Sequence, residues 1–217
     1  HPINGYVYAA TRSRYYDIGG IYRSMDHGDN WERLLPDDWP NNLPNEILKG
    51  ADLEITSNGT IYASLGIFNQ DGIYKSTDGT TFNKLINFPG NGYYRLEIAI
   101  APSNEEVIYV IGHDSSPTSL SNCENCNDIG VFYKSENAGE NWTEIINYPL
   151  IQVGQTTEIG AHFTRTQAWY NLILAVYPNN PLIVYAGGIN IHKSMDGGDS
   201  WNQQSLWYGI GQPFYVH

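Results

Sequence analysis

The sequence predicts an all-β chain folded as part of a β-propeller of four-stranded antiparallel blades, with about 3.75 blades present. Three observations carry this. A short pattern recurs four times, with its leading serines 52, 59 and 59 residues apart. Each copy sits among the same short alternating strands, and no stretch has helical period. The 217 residues include 22 Gly, 17 Tyr and 6 Trp with only 16% charged residues, a composition of turns and aromatic packing rather than disorder.

The copies are Ser24-Met-Asp26-His-Gly28-Asp-Asn-Trp31, Ser76-Thr-Asp78-Gly-Thr-Thr-Phe82, Ser135-Glu-Asn137-Ala-Gly139-Glu-Asn-Trp142 and Ser194-Met-Asp196-Gly-Gly198-Asp-Ser-Trp201. Each blade reads as strands A to D in a meander. Strand A comes before strand B, as in Asp52-Leu-Glu-Ile-Thr, Leu96-Glu-Ile-Ala-Ile and Leu172-Ile-Leu-Ala-Val. Strand B bears a Tyr: Tyr6-Val-Tyr-Ala-Ala, Ile61-Tyr-Ala-Ser, Val107-Ile-Tyr-Val-Ile and Ile183-Val-Tyr-Ala-Gly. Strand C runs into the serine, and strand D follows the aromatic residue. Turn-formers such as Ser57-Asn-Gly59 and Pro178-Asn-Asn-Pro181 join A to B. The units run 1–49, 50–92, 93–166 and 167–206, and 207–217 opens another blade. Beginning and ending in mid-blade, the sequence reads as a fragment of a larger propeller whose remaining blades belong to the parent chain.

Charge and hydropathy narrow the function. A formal net charge of -12 argues against nucleic acid and anionic membranes. No apolar run approaches the ~20 residues of a membrane span. No cofactor motif occurs. Cys123 and Cys126 lie in a Ser/Asn/Asp-rich loop. A small-loop disulfide in an exported protein is the favoured reading. A metal site with His113, Asp114 or Asp128, and free thiols, stay open.

The four copies resemble the Asp-box, or BNR, repeat of sialidases, sortilin-type receptor domains and xyloglucan-active glycosidases. The first and fourth match it fully. The third has Asn137 for Asp, and the second is one residue short with Phe82 for Trp. The residue types explain themselves as turn chemistry. Asp or Asn accepts from turn amides, Gly supplies positive φ, and the aromatic ring buries apolar surface. An Asn copy would be a broken catalyst but a working turn, so the boxes read as structural.

Function then belongs to the other edge of each blade. The A–B and C–D turns are short and uniform. The B–C loops (11–19, 65–71, 113–130) and D–A crossings (36–49, 148–166) are long and varied, as binding loops on rigid scaffolds are. That edge carries Tyr15, Tyr16, Trp39, Phe68, Tyr93, Tyr94, Trp169, Tyr170, Trp207 and Tyr208, which suit sugar rings or else pack between blades. The best local grouping is Arg165, Trp169 and Tyr170, entering an innermost strand that points to a central channel, with Trp207, Tyr208 and His217. This grouping resembles a stretch of secreted bacterial Asp-box proteins. The resemblance implies a secreted or cell-surface location, with a type IX-like secretion machinery handling the chain as cargo.

Two functions remain. The favoured one is a non-catalytic module binding glycan or protein in an exported multidomain protein. The alternative is a glycoside hydrolase. The arginine triad of sialidases is not evident, since no Arg-Ile-Pro occurs and Arg12, Arg14, Arg23, Arg33, Arg95 and Arg165 lie mostly beside boxes or in loops. A two-carboxylate mechanism could draw on Asp17, Asp71, Asp114 or Glu158, and no motif singles out a pair.

Overall fold

The computed structural model describes residues 1–12, 19–35, 50–67, 70–113, 129–147, 149, 163–164 and 167–205. The chain divides into two compact units, His1–Ile98 and Ala99–His217. The fold is a partial β-propeller, and almost all of its regular structure is antiparallel meander.

In the first unit, β1 (Val7–Thr11), β2 (Gly20–Ser24) and β3 (Glu32–Leu35) form a three-stranded sheet in chain order. These are strands B, C and D of the first blade. β4 (Gly50–Ile55), β5 (Ile61–Leu65), β6 (Ile73–Ser76) and β7 (Asn83–Lys84) form a complete four-stranded blade. β8 (Leu96–Ile100) opens the third sheet, with β9 (Ile108–His113), β10 (Ile129–Ser135) and β11 (Thr143–Glu144). A helical turn, α1 (Ala168–Asn171), precedes the fourth: β12 (Ile173–Val176), β13 (Val184–Gly187), β14 (Ile191–Ser194) and β15 (Asn202–Gln203). The outermost strands of the three later blades are two residues long, shorter than the apolar runs suggested. No helix among the described residues is long and apolar enough to cross a membrane.

Apolar strands supply the cores, and β5 and β9 are buried along their whole length. In the first unit Ile21, Leu35, Ala63 and Leu65 are buried, with Leu53, Tyr74 and Phe82 packed against them. In the second, Tyr109, Ile111, Phe132, Ile145, Phe163, Leu172, Val184 and Ala186 share one buried cluster, joined by Trp201. The register also pairs a strand-B tyrosine with a strand-C cation in every blade: Tyr8 with Arg23, Tyr62 with Lys75, Tyr109 with Lys134 and Tyr185 with Lys193. Three of the cations lie 5.3–6.0 Å from their ring centroids, close enough for cation–π attraction. Tyr8 and Arg23 instead both donate to the Gly79 carbonyl, at 2.8 and 2.9 Å, fastening the first blade to the second box. The Tyr109 hydroxyl reaches the Pro181 carbonyl at 2.9 Å in the same manner.

The four boxes share one hydrogen-bond scheme. Ser24, Ser76, Ser135 and Ser194 are buried, and each donates to the carboxylate or amide oxygen two residues on, at 2.7–3.1 Å. Each serine oxygen also accepts a turn amide, from Gly28, Gly79, Gly139 or Gly198, at 2.8–3.0 Å. The Asp or Asn oxygen then accepts the amide of Asn30, Thr81, Asn141 or Ser200 at 2.7–2.9 Å. Asn137 does this as well as Asp does, so the task needs an acceptor and not a charge. Hydrogen bonds hold the Asp26, Asp78 and Asp196 carboxyls down at about 2, led by the Asn30 side chain, the Thr81 amide and the Ser200 hydroxyl respectively. The left-handed conformation falls on His27, Gly79, Ala138 and Gly197, with φ of 62°, 70°, 53° and 77°. Two of these positions are not glycine, contrary to the simple turn rule. The aromatic anchor also differs: Trp201 packs in the core of its unit, whereas Trp31 is 44% exposed.

The parity of the meander holds where both ends are described. Ala138 N donates to Glu106 O at 2.8 Å and Gly197 N to Leu182 O at 2.8 Å, so box and A–B turn share an end. At the other end, the B–C residue Asp71 bridges the D–A residue Tyr93, and Ile189 N donates to Phe163 O at 3.0 Å.

Candidate functional site

In the fourth blade, the end remote from the box is built around segment 163–172. Phe163, Thr164, Ala168 and Leu172 are fully buried. Ile189 N holds Phe163 O, Gln167 N holds Thr164 O at 3.0 Å, and Tyr170 N and Asn171 N both return to Gln167 O at 2.9 Å. Ala168 and Leu172 are four residues apart and so share the inward face of the turn, which sends the intervening side chains outward. Trp169 and Tyr170 are 40% and 69% exposed, with ring centroids 5.5 Å apart and planes inclined at 50°. Asn171 donates to Gln167 Oε1 at 3.5 Å, while its own side-chain oxygen is buried with no hydrogen-bond donor among the described residues. Two large rings are thus displayed from a turn pinned by its buried neighbours. Such a ledge can stack on the C–H face of a sugar.

Gly188 makes that docking possible. A Cβ there would lie 2.8 and 2.9 Å from Thr164 Cγ2 and Cα and 3.1 Å from Phe163 O. Gly188→Ala is therefore expected to displace 163–164 and to cost about 1–3 kcal/mol by overpacking. Thermal denaturation by circular dichroism measures that loss, and tryptophan fluorescence reports movement of the ledge.

The first unit holds a second grouping that the loop reading missed. Asp52 and Glu54 lie two apart on β4 and so share one face. Asp52 accepts Leu53 N at 2.8 Å and Ile98 N at 2.7 Å, bridging β4 to β8. Glu97 on β8 accepts Arg95 Nε at 2.6 Å. Burial, then the Asp52 charge, raises both Glu54 and Glu97 to about 7, although Arg95 opposes the rise at Glu97. Burial also raises Asp52, against its two amide bonds. Carboxyls protonated near neutrality can deliver a proton. The visible signal was an acidic residue inside an otherwise apolar strand A.

Of the loop carboxylates, Asp71 is engaged structurally. Its Oδ1 accepts Lys84 Nζ at 2.7 Å and Tyr74 Oη at 3.1 Å, and its backbone bonds Tyr93 and Gly92. Of the predicted ligand residues, Trp169 and Tyr170 are brought together. They stand on a helical turn that leads directly into β12. Arg165, Trp207, Tyr208 and His217 lie outside the described residues, as do Asp17, Asp114, Glu158, Cys123 and Cys126. Among the described residues no three His, Cys, Asp or Glu side chains are grouped to hold a metal ion.

No protein-family model matches the chain. It is 25% identical to Xyloglucanase Xgh74A of Acetivibrio thermocellus, over 88% of this chain and 29% of that protein. It is 27% identical to a xyloglucanase of a Paenibacillus species, over 98% and 26%. The chain is similar to xyloglucanases. It spans under a third of their length. Among solved structures, a Niastella koreensis GH74 enzyme superposes with a TM-score of 0.59 at 22% identity, covering 87% of this chain and 27% of that one. The Xanthomonas campestris GH74 xyloglucanase gives 0.57 at 18%, covering 93% and 28%. These two likenesses support the propeller fold.

Proposed function

We propose that the chain is part of an exported glycoside hydrolase of propeller type that acts on xyloglucan or a related β-glucan, and that Trp169 and Tyr170 line its glycan path. The observation that carries this is the xyloglucanase similarity along 88–98% of the chain. The anchored aromatic ledge agrees with it. Hydrolysis needs an acid and a base or nucleophile on opposite sides of the scissile bond. Asp71, tied to Lys84 and Tyr74, serves better as a loop brace than as either. Asp17, Asp114 and Glu158 are the remaining loop candidates, and the rest of the cleft comes from the remaining blades of the full-length protein.

The test is reducing-sugar release from soluble xyloglucan and mixed-linkage β-glucan by the full-length protein and its Asp17→Asn, Asp114→Asn and Glu158→Gln variants. Turnover by the wild type is expected, with one variant falling by roughly 10²–10⁴ at unchanged thermal midpoint. Binding to these glycans without any release would overturn the hydrolase reading and leave a binding module.

A further inference from the structure

We infer that Asp52, Glu54, Glu97 and Arg95 form a proton-operated latch on the seam between β4 and the start of β8. It is closed while the two glutamates are protonated and loosens once they ionise. The latch is independent of the hydrolase reading and uses none of its residues. Asp52 and Glu54 lie two apart on β4, and their cross-strand partners on β5 are Ser64 and Tyr62. Tyr62 is buried and pairs with Lys75 on β6, whose Nζ lies 5.3 Å from the ring centroid. From the β8 side come Glu97 and, just before the strand, Arg95. β1, which has no charged residue, packs on the opposite face of β4, where Ala10 and Leu53 share one apolar cluster. Arg95 stands two residues after Tyr93, the crossing residue bridged to Asp71, so the latch fastens the strand that follows this crossing.

The three carboxyls are not equally supported. Arg95 Nε donates to Glu97 Oε1 at 2.6 Å. Asp52 accepts Leu53 N at 2.8 Å and Ile98 N at 2.7 Å, and the second bond ties β4 to β8. Glu54 is half-buried, and among the described residues neither a hydrogen bond nor a cation supports its carboxyl. With both glutamates protonated, the charges of Asp52 and Arg95 cancel. With both ionised, three partly buried negative charges share one guanidinium, and like charges held close in a protein interior repel. Parting β4 from β8, with loss of the Asp52–Ile98 bond, lets water reach the carboxyls and relieves the repulsion. In the closed seam burial, then the Asp52 charge, holds both glutamates at about 7, against an ordinary 4.5. Opening is thereby coupled to proton release between those values. The seam is tightest below about 4.5 and loosest above about 7.

Hydrogen–deuterium exchange read by mass spectrometry on the full-length protein tests the latch. Labelling runs from pH 5 to 8, with times scaled to the intrinsic exchange rate. Peptides spanning 50–56 and 94–100 report the seam, and a peptide spanning β13 in the fourth blade is the reference. In the wild type, protection of the seam relative to the reference is expected to fall by roughly tenfold or more between pH 5 and 7 and then to level off. The Glu54→Gln/Glu97→Gln variant keeps the neutral shapes and should hold the seam at its pH 5 protection throughout. A wild-type ratio that stays constant with pH overturns the inference, whether both regions stay protected or both open together. So does a fall that persists in the double variant, since the titrating group is then another. The wild-type ratio needs no substitution, so it decides the question even if the double variant fails to fold.

Discussion

Ser194→Ala lowers the thermal unfolding midpoint by several degrees and leaves glycan affinity unchanged. The Ser194 hydroxyl is fully buried, donates to Asp196 Oδ1 at 2.7 Å, and accepts Gly198 N at 2.8 Å and Asp196 N at 3.3 Å. Alanine fits the space but leaves the Gly198 amide without its acceptor. A buried group stranded in this way costs about 1–3 kcal/mol. For a chain of this length that is roughly 2–4 °C per kcal/mol. Differential scanning calorimetry reads the shift. Ser135→Ala should behave alike, because the Asn137 box uses the same bonds without a carboxylate. A Ser194→Ala protein that melted normally and lost its ligand would make the box a functional site instead.

Glu54→Gln flattens the loss of stability of the first unit between about pH 4.5 and 7 and raises its midpoint by a few degrees at pH 8. The sign follows from linkage. Burial, then the Asp52 charge, raises the folded carboxyl from an ordinary 4.5 to about 7. Between those values the unfolded chain has released a proton that the folded chain still holds. Stability from this group is therefore complete below about 4.5 and is lost as pH rises through about 7. Glutamine keeps the neutral shape and removes the titration. Glu54 is the cleaner of the two glutamates to change, since Glu97 also neutralises Arg95. At the acid end the box aspartates act oppositely. Their carboxyls sit at about 2, so their contribution is present above the usual carboxylate range and fades toward pH 2. Melting curves from pH 3 to 9 test both limbs. A variant that lost stability with pH as steeply as the wild type would show that Glu54 is ionised in the fold.

The repeat made the architecture legible because each blade solves the same local problem with the same residues. Ser24, Ser76, Ser135 and Ser194 mark a strand end and a turn wherever they occur, and an apolar run around Tyr62 or Tyr109 marks strand B. The Tyr–cation pairs were present in the sequence but had no meaning until register set Tyr62 opposite Lys75. The turn at Ala168 escaped because four residues are too few to show a helical period, and its shape is imposed by the Phe163 and Thr164 contacts. Glu54 and Glu97 were visible as acidic residues in strand A, but nothing local says that β4 and β8 bury them together. Asp71 looked like a free loop carboxylate because Lys84 is thirteen residues away. Local turn chemistry explains every box without catalysis, so the boxes carry no sign of a hydrolase. The proposal of a hydrolase rests instead on similarity to under a third of the length of xyloglucanases.

On the proposed function, the box end of the fourth blade is structural and the end bearing Trp169 meets ligand. A thermal-shift titration of the full-length protein with soluble xyloglucan tests that division directly, on wild type, Ser194→Ala and Trp169→Ala. The account predicts that Ser194→Ala has a lower starting midpoint and keeps the ligand-induced rise, while Trp169→Ala starts where the wild type does and loses most of the rise. The reverse pattern, with the rise abolished by Ser194→Ala and intact in Trp169→Ala, would contradict it.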